Sequence, residues 1–500
     1  MISRTNAVPV SNTDLVPLET AIPRDLVARL CSGKRPGRLT DHGARWLRLG
    51  LALAIVAATT RVGLRAISDP SPWLHLRVGQ FLLDGGRFGL PDPWAPYPVR
   101  SFVPTEWLPS VLAAQVYAVA GLPAISWLRC VSMLLLLTAA LWSARRVAGT
   151  VPSLLAAFVA VVAAGEGMTE RPQAISFVML AITVGAWWRT AGDLKPRWWL
   201  IPLTWLWAMS HGLWIVGLGL GMVMVATLAI DHRLDRKQAG RLLAIPALGL
   251  VAAALTPVGP RLLLTPLTVG ANGRDFVGEW QPTSIRDPYA ILTLAMLAIV
   301  LLGWIRSRAV PPWWQIALAG LSLVSTLAMS RTIAVGAVLA APLFAQTLQQ
   351  YLRTSVRPPT RRDVMVWLAL VVAAAMIAIP ISGAIARIPV GVPNGLRPQL
   401  SAIPAGTVIL CEDDKTGWLL WAEPQLAPSI DIRTEIYSHA HLSAYIRTMA
   451  VEPGWQEFIR STRSAYALVA KDSPIATALR ERLGWNPLGT DSGYVLLKAP

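Results

Sequence analysis

Long apolar segments recur along most of the chain and constrain its fold more than any other feature. The segments run for roughly 16–22 residues, which is the length that crosses the hydrocarbon core of a bilayer as a helix. Of the 500 residues, 54% are hydrophobic and only 15% are charged. Backbone groups have no water partner in lipid, so each lipid-facing segment must be helical. The sequence therefore predicts a polytopic α-helical membrane protein.

About 11 of these segments are predicted to span the membrane by length and hydropathy. They lie at 47–64, 123–144, 151–165, 172–188, 197–210, 213–230, 242–256, 288–305, 312–329, 332–348 and 364–386. The shorter segment 107–121 decides the topology. If it does not span, the basic connectors that begin at Arg145, Arg189, Arg233, Arg306 and Arg353 all lie on the side of the N-terminal tail, as the positive-inside rule requires. We therefore expect 107–121 to be a juxtamembrane or re-entrant helix.

Three regions follow from this topology. Residues 1–46 are predicted to be a partly disordered cytoplasmic tail, and residues 47–387 a transmembrane domain whose first outside loop is 65–106. Residues 388–500 are predicted to form an extracytoplasmic α/β domain. Its predicted strands are 407–412, 417–422, 429–433, 466–471 and 494–499, and its predicted helices are 441–450 and 473–484, the second with Ser473 as N-cap.

The charge balance is strongly basic, with 45 Lys and Arg residues against 28 Asp and Glu residues. The basic residues collect in the connectors predicted to be cytoplasmic and are not interleaved with aromatic residues, which excludes nucleic acid as a partner. Cys31, Cys130 and Cys411 are far apart, so neither a disulfide framework nor a metal site is indicated.

Ionisable residues concentrate on the predicted outside face, which is typical of a functional site in a membrane protein. Asp69 follows the first span and could act as a general base, or it could form an Asx turn before Pro70. His75 and Arg77 lie on a predicted interfacial helix, 73–84, where they could contact a phosphate or a sugar hydroxyl, or only snorkel to the surface.

Two more acidic residues of the first loop have open roles. Asp92 is typical of a turn, and Glu106 could complement the dipole of the next helix. Further along the chain, Glu170 and Arg171 could pair with each other, or Arg171 could bind a lipid-linked phosphate. His211 is as typical of a satisfied buried histidine as of a site residue.

A long outside loop carries Glu279 and Trp280, which could hold a sugar by hydrogen bonding and stacking. Arg331 stands alone between two apolar spans and needs an anionic partner, either a protein carboxylate or a lipid phosphate. In the C-terminal region, Asp431, Arg433 and Glu435 are expected to share one strand face as a surface ion pair.

Several motifs resemble those of GT-C type membrane glycosyltransferases, in particular an uncharacterised bacterial branch. They are D-P-x-x-W-x-H-L-R-x-G at 69–79, P-D-P at 91–93, E-W-L at 106–108, E-R-P-Q at 170–173, W-x-x-x-H-G at 207–212, E-W-Q-P at 279–282, S-R-T at 330–332, G-W-L-L-W at 417–421 and I-D-I-R-T-E-x-Y at 430–437. The resemblance covers roughly residues 45–500. It implies a multi-pass protein of the bacterial cell membrane with a cytoplasmic N-terminus.

The resemblance also implies an activity: inverting transfer of a hexose or pentose from a polyprenyl-phosphate-linked donor to an extracytoplasmic glycan, lipid or protein acceptor. Asp69 would be the base, and Glu106, Glu170, His211 and Arg331 would support the phosphate or the acceptor. Many members carry two adjacent acidic residues in this loop, whereas Pro70 follows Asp69 here. That departure weakens the case for metal assistance. No cofactor is therefore assigned, although a divalent metal stays open. The alternatives are a lipid or solute transporter and a catalytically silent member acting in envelope assembly.

Overall fold

The computed structural model describes residues 41–308, 310–352 and 356–500. Most of the predicted N-terminal tail, including Cys31, lies outside the described residues, as does Arg353. Residues Gly50–Pro500 form one compact unit.

The N-terminal three quarters of the described chain is helical. Its α-helices are Asp41–Gly63, Ser71–Leu83, Trp107–Ala120, Leu122–Ala144, Thr150–Ala163, Gln173–Asp193, Leu200–Ala208, Trp214–Ile230, Arg236–Ala254, Thr265–Phe276, Pro288–Ser307, Trp313–Ala328, Ile333–Leu352 and Arg361–Ile385. Each of the predicted spans coincides with one of these helices.

The predicted number of spans is not confirmed. Among the described residues, 6 helices are long and apolar enough to cross a membrane, or up to 7 if the bent pair Arg236–Ala254 and Gly259–Phe276 is one span. Helices such as Thr150–Ala163, with 14 residues, and Trp214–Ile230, with 17, are too short by this criterion. At 1.5 Å per residue, 14 residues extend only about 21 Å, against about 30 Å for the hydrocarbon core.

Small residues allow the central helices to pack closely. Thr150–Ala163 lies against Ile333–Leu352, and Ala156, Ala160 and Ala341 are buried there. Small side chains bring helix backbones together where apolar burial gives no advantage over lipid. In contrast, Arg361–Ile385 lies at the periphery, with most of its side chains exposed.

The segment 107–121, predicted to be a juxtamembrane or re-entrant helix, forms the short helix Trp107–Ala120. Trp107–Ala120 packs against Ser71–Leu83, the helix predicted at 73–84. The two cross closely at Gly79, because a Cβ there would lie 2.0 Å from the carbonyl oxygen of Ser110. This crossing fixes His75 beside the start of the second helix.

The C-terminal region is an α/β structure, as predicted. Its strands are β1 (Val408–Cys411), β2 (Ala427–Pro428), β3 (Tyr466–Ala470), β4 (Asn486–Asp491) and β5 (Tyr494–Lys498), in the order β2-β1-β3-β5-β4. β1 pairs parallel with β2 and β3, and β5 pairs antiparallel with β3 and β4. The α-helices around this mixed sheet are Arg397–Ser401, Asp413–Ala422, His439–Met449, Trp455–Thr462 and Pro474–Leu483.

Two of the predicted strands are wrong. Residues 417–422 belong to the helix Asp413–Ala422, and residues 429–433 follow β2 without strand structure. A short apolar run such as GWLLWA fits a buried helix as well as a strand, so its composition cannot separate the two. The predicted N-cap is correct, since the Ser473 hydroxyl accepts from the N–H of Ala476 at 3.3 Å. The sequence does not predict β2, β4 or the helices Arg397–Ser401 and Trp455–Thr462.

The C-terminal region packs directly on the first loop. A Cβ at Gly417 would lie 3.1 Å from the carbonyl oxygen of Pro70, and the rings of Trp73 and Trp421 lie 4.8 Å apart. Pro70, the residue next to Asp69, is therefore in contact with the helix Asp413–Ala422 of the C-terminal region.

Candidate functional site

Asp69 begins a network of charged side chains at the ends of several helices. One of its carboxylate oxygens accepts from the N–H of Ser71 at 2.8 Å, which is the Asx turn that the sequence allowed. The other accepts from Nε of Arg171 at 2.8 Å. Nη1 of Arg171 donates in turn to Glu279 at 2.6 Å. Arg171 thus bridges two carboxylates that lie far apart in sequence, and such charge-assisted bonds are strong.

The network continues through Arg331. Its Nη1 lies 3.9 Å from the second carboxylate oxygen of Glu279, beyond hydrogen-bonding distance. Its Nη2 lies 3.3 Å from Nε2 of His211, and its guanidinium lies 5.8 Å from the ring centroid of Trp280. Arg331 is therefore held near a carboxylate and an aromatic face without a bidentate acidic partner of its own in the described structure.

His211 and His75 lie on either side of Glu106. Nε2 of His211 is 3.3 Å from Oε1 of Glu106, and Nε2 of His75 is 3.3 Å from Oε2. Glu106 directly precedes the helix Trp107–Ala120, so it also lies where a carboxylate complements the helix dipole.

The ring of His211 is held by contacts at both of its nitrogens. Nδ1 accepts from the backbone N–H of Leu213 at 3.2 Å, and the Ser176 hydroxyl, which accepts from the indole of Trp207, contacts the same Nδ1 at 3.0 Å. Nη2 of Arg331 lies 3.3 Å from Nε2, and a guanidinium can only donate. His211 thereby positions the side chain of Arg331.

The pKa values of these residues reflect their removal from water. Burial raises the pKa of Glu106 to about 7, with a further rise from Glu435 of the C-terminal region and an opposing effect of Arg331 and Arg171. Burial lowers the pKa of His75 to about 4 and that of His211 well below its usual value, with Arg331 adding to both. Both histidines are therefore neutral at pH 7.

Three of the predicted site residues lie outside this network. Glu170 is buried and accepts from Nε and Nη2 of Arg65 at 2.8 and 3.0 Å, which gives it a structural partner. The guanidinium of Arg77 lies 5.3 Å from the ring centroid of Trp94.

Asp92 is the third. It accepts from the N–H groups of Trp94 and Ala95, as expected of a turn, and it also pairs with Arg433 at 2.9 and 3.0 Å. The expected surface ion pair of the C-terminal region is wrong, because the Asp431 and Arg433 side chains are at most 1% exposed and pair with each other as well.

Sequence reasoning missed three contributors to the site. Ser110 and Ser176 fix the two histidine rings, and no sequence pattern distinguishes them from ordinary helix serines. The sequence predicts a surface position for Glu435, whereas burial raises its pKa to about 7.

The residues of the site do not fit a divalent metal. The two carboxylates best placed to share one, Asp69 and Glu279, are bridged by the guanidinium of Arg171. Arg331 stands beside His211 and would repel a cation there. No group of three or more His, Cys, Asp or Glu residues suited to a metal ion occurs within the described ranges.

Comparison with known proteins identifies the fold. No family model matches the chain, and no curated protein matches it by sequence. Among solved structures, it is similar to the oligosaccharyltransferase of Archaeoglobus fulgidus in the apo form, with a TM-score of 0.52, 11% identity, and coverage of 84% of this chain and 69% of that one. The chain therefore shares the fold of this oligosaccharyltransferase.

Two further solved structures share this fold. The archaeal oligosaccharyltransferase AglB from A. fulgidus in complex with an inhibitory peptide and a dolichol-phosphate gives a TM-score of 0.54 at 12% identity, over 85% of this chain and 69% of that one. The A. fulgidus enzyme tethered to an acceptor peptide with the NVT sequon gives 0.51 at 11% identity, over 84% and 69%. The expected class, a polytopic helical membrane protein with a C-terminal α/β region, is thereby confirmed.

Proposed function

We propose that the protein is a membrane glycosyltransferase that moves a sugar from a polyprenyl-phosphate-linked donor to an extracytoplasmic glycan, lipid or protein acceptor. One observation carries the proposal: Asp69, Arg171, Glu279, Arg331, His211, Glu106 and His75 form one continuous charged network within a GT-C fold. A similar structure holds a dolichol-phosphate, which is a ligand of the chemical class proposed here.

Arg331 and His211 form the phosphate end of the proposed site. The guanidinium of Arg331 lies there beside His211 and Trp280, and it has no acidic partner within hydrogen-bonding distance in the described residues. A planar guanidinium matches the oxygens of a phosphate, and fixed donors stabilise the charge that develops on a leaving group. The lipid phosphate would bind at this end, with Trp280 beside the sugar.

Asp69 forms the acceptor end. Arg171 and the N–H of Ser71 stabilise its charged form, and a charged carboxylate can accept the proton of a hydroxyl group. In the proposed reaction, the acceptor oxygen loses its proton to Asp69 and forms a bond to the anomeric carbon. The bond from that carbon to the phosphate oxygen breaks, and the phosphate keeps the electron pair. Attack opposite the leaving group gives inversion.

The proposed topology places this site outside the cytoplasm. The N-terminus and the basic connectors would lie in the cytoplasm of a bacterium, and the transmembrane domain, 47–387, would cross the cell membrane about 11 times. The domain 388–500 would cover the site from outside.

Sugar transfer in reconstituted vesicles tests the proposal. The vesicles would hold polyprenyl-phosphate carrying a labelled sugar, with a cell-envelope extract as acceptor. Wild-type protein should move the label from lipid to acceptor, and Asp69→Asn should be slower by roughly 10²- to 10⁴-fold, the usual contribution of a general base. The control is Asp84→Asn, which alters an exposed carboxylate of the same loop and should retain activity. Full activity of Asp69→Asn, or uptake of lipid or solute without any transfer, would contradict the proposal.

A further inference from the structure

Glu106 and His75 form a second acid–base group, which His211 joins to Arg331. We propose that these two side chains share one transferable proton and deliver it to the phosphate oxygen that leaves with the lipid. The delivery step rests on the proposed function, whereas the sharing of the proton rests on the geometry alone.

The hydrogen bonds of His75 determine which of its nitrogens is free. The hydroxyl of Ser110 donates its one proton to the carbonyl oxygen of Glu106 at 2.7 Å. The same hydroxyl lies 3.1 Å from Nδ1 of His75, so it must accept there and Nδ1 must carry a proton. In a neutral His75, Nε2 therefore presents a lone pair.

That lone pair faces a carboxylate oxygen. Nε2 of His75 and Oε2 of Glu106 are 3.3 Å apart, and two acceptors at this distance repel each other unless a proton lies on one of them. The other oxygen of Glu106 lies 3.3 Å from Nε2 of His211, a nitrogen that Nη2 of Arg331 already contacts as a donor. The extra proton is therefore assigned to Glu106 and His75. The arrangement thus contains one proton more than a charged Glu106 beside a neutral His75.

The surroundings favour keeping this proton near neutral pH. Arg331 and Arg171 face the pair from the ends of neighbouring helices and oppose protonation of Glu106. Glu435, from the C-terminal region, favours it, and Asp69 acts in the same direction on His75. Burial exceeds these effects and gives Glu106 a pKa of about 7.

Two carboxylates in different surroundings suit two different steps. Asp69 accepts from the guanidinium of Arg171, whereas burial raises the pKa of Glu106 to about 7, and such a division commonly marks the base and the acid of one site. A phosphate monoester has a second pKa of about 6, close to that of Glu106, so a proton can pass readily between them. Atoms and charge balance: the acceptor proton goes to Asp69, the Glu106–His75 proton goes to the lipid phosphate, and solvent restores both groups.

Glu106→Gln is the decisive variant. A glutamine amide can donate to Nε2 of His75, so it reproduces the contact of a protonated Glu106 with that ring but has no proton to deliver. We expect transfer to be slower by roughly 10²- to 10⁴-fold. Wild-type activity should fall as pH rises above about 7, because the acid loses its proton, and this fall should be absent from Glu106→Gln. A variant that keeps the wild-type rate and pH profile would overturn the delivery step.

The proton can also be observed without any substrate. Infrared difference spectra of the full-length protein, recorded as pH rises through 7, should lose a protonated-carboxyl band that Glu106→Gln lacks. ¹⁵N spectra should show His75 protonated at Nδ1. Absence of the carboxyl band, together with an Nε2-protonated and neutral His75, would overturn the shared proton. If no form of the protein transferred sugar, these spectra would still show whether Glu106 and His75 share a proton. Failure of the proposed function and failure of the shared proton are therefore distinguishable.

Discussion

Replacing Arg433 with methionine should destabilise the protein strongly, because this residue joins the C-terminal region to the first loop. Its guanidinium donates to Asp92 at 2.9 and 3.0 Å and to Asp431 at 3.0 and 2.6 Å. The arginine side chain is 1% exposed and both carboxylates are 0% exposed. The cluster is thus one buried cation shared by two buried anions.

The expected cost follows from what the substitution leaves behind. Methionine keeps most of the apolar volume, so little cavity forms, but two carboxylates remain buried without a cation. Removing one partner of a buried ion pair costs about 3–5 kcal/mol. Arg460→Met is the matched control, since Arg460 pairs with Glu457 at 3.5 Å with both side chains more than two thirds exposed. Such a surface pair contributes at most about 1 kcal/mol.

Denaturant unfolding of the detergent-solubilised protein, followed by tryptophan fluorescence, measures both variants. The free energy of unfolding should fall by about 3–5 kcal/mol in Arg433→Met and by less than about 1 kcal/mol in Arg460→Met. Limited proteolysis should also cut the loop 84–104 faster in Arg433→Met, because its anchor at Asp92 is lost. Equal stability and equal cleavage of the two variants would refute the assignment of this cluster as the link between loop and C-terminal region.

Two other substitutions probe the site. Gly79→Ala should separate the helices Ser71–Leu83 and Trp107–Ala120, because the added methyl group would meet the backbone of Ser110. Thermal unfolding should show a loss of stability of about 1–3 kcal/mol, and sugar transfer should be reduced. Unchanged stability would contradict the close crossing. Arg331→Ala should weaken the binding of polyprenyl phosphate by roughly 10- to 150-fold, since hydrogen bonds to charged groups contribute about 1.5–3 kcal/mol. Native mass spectrometry measures this binding. Arg308→Ala, at the far end of another helix, is the control and should bind normally. Equal binding by both variants would argue against a phosphate at Arg331.

The sequence predicts the class of fold because apolar segments of membrane length leave the backbone few alternatives. It also predicts that Asp69, Arg171, Glu279, Arg331, His211, Glu106 and His75 lie on one face, since the positive-inside rule places their loops together. Their pairing cannot be predicted, because a contact such as that of Arg171 with Glu279 joins residues separated by 108 positions. Asp92 shows the limit most clearly: local sequence indicates a turn, and only the fold brings Arg433 to it.

The helix and strand errors have a related physical origin. Residues 417–422 are apolar enough for either a strand or a helix, and their helix is selected by packing against Ser71–Leu83, where Gly417 permits close approach to Pro70. Strand β4, with the sequence NPLGTD, has a composition typical of a turn and becomes a strand through pairing with β5. Tertiary contacts decide both cases.

The most direct test of the account is a structure of the protein bound to polyprenyl phosphate. We expect the phosphate to lie beside the guanidinium of Arg331, within hydrogen-bonding distance of its N–H groups and next to His211. A separate cavity of about 500 Å³ is lined by apolar side chains together with Arg87 and Arg261, and it offers the phosphate a different location. A phosphate bound in that cavity, with the space beside Arg331 filled only by solvent, would contradict the assignment of the charged network as the site of sugar transfer.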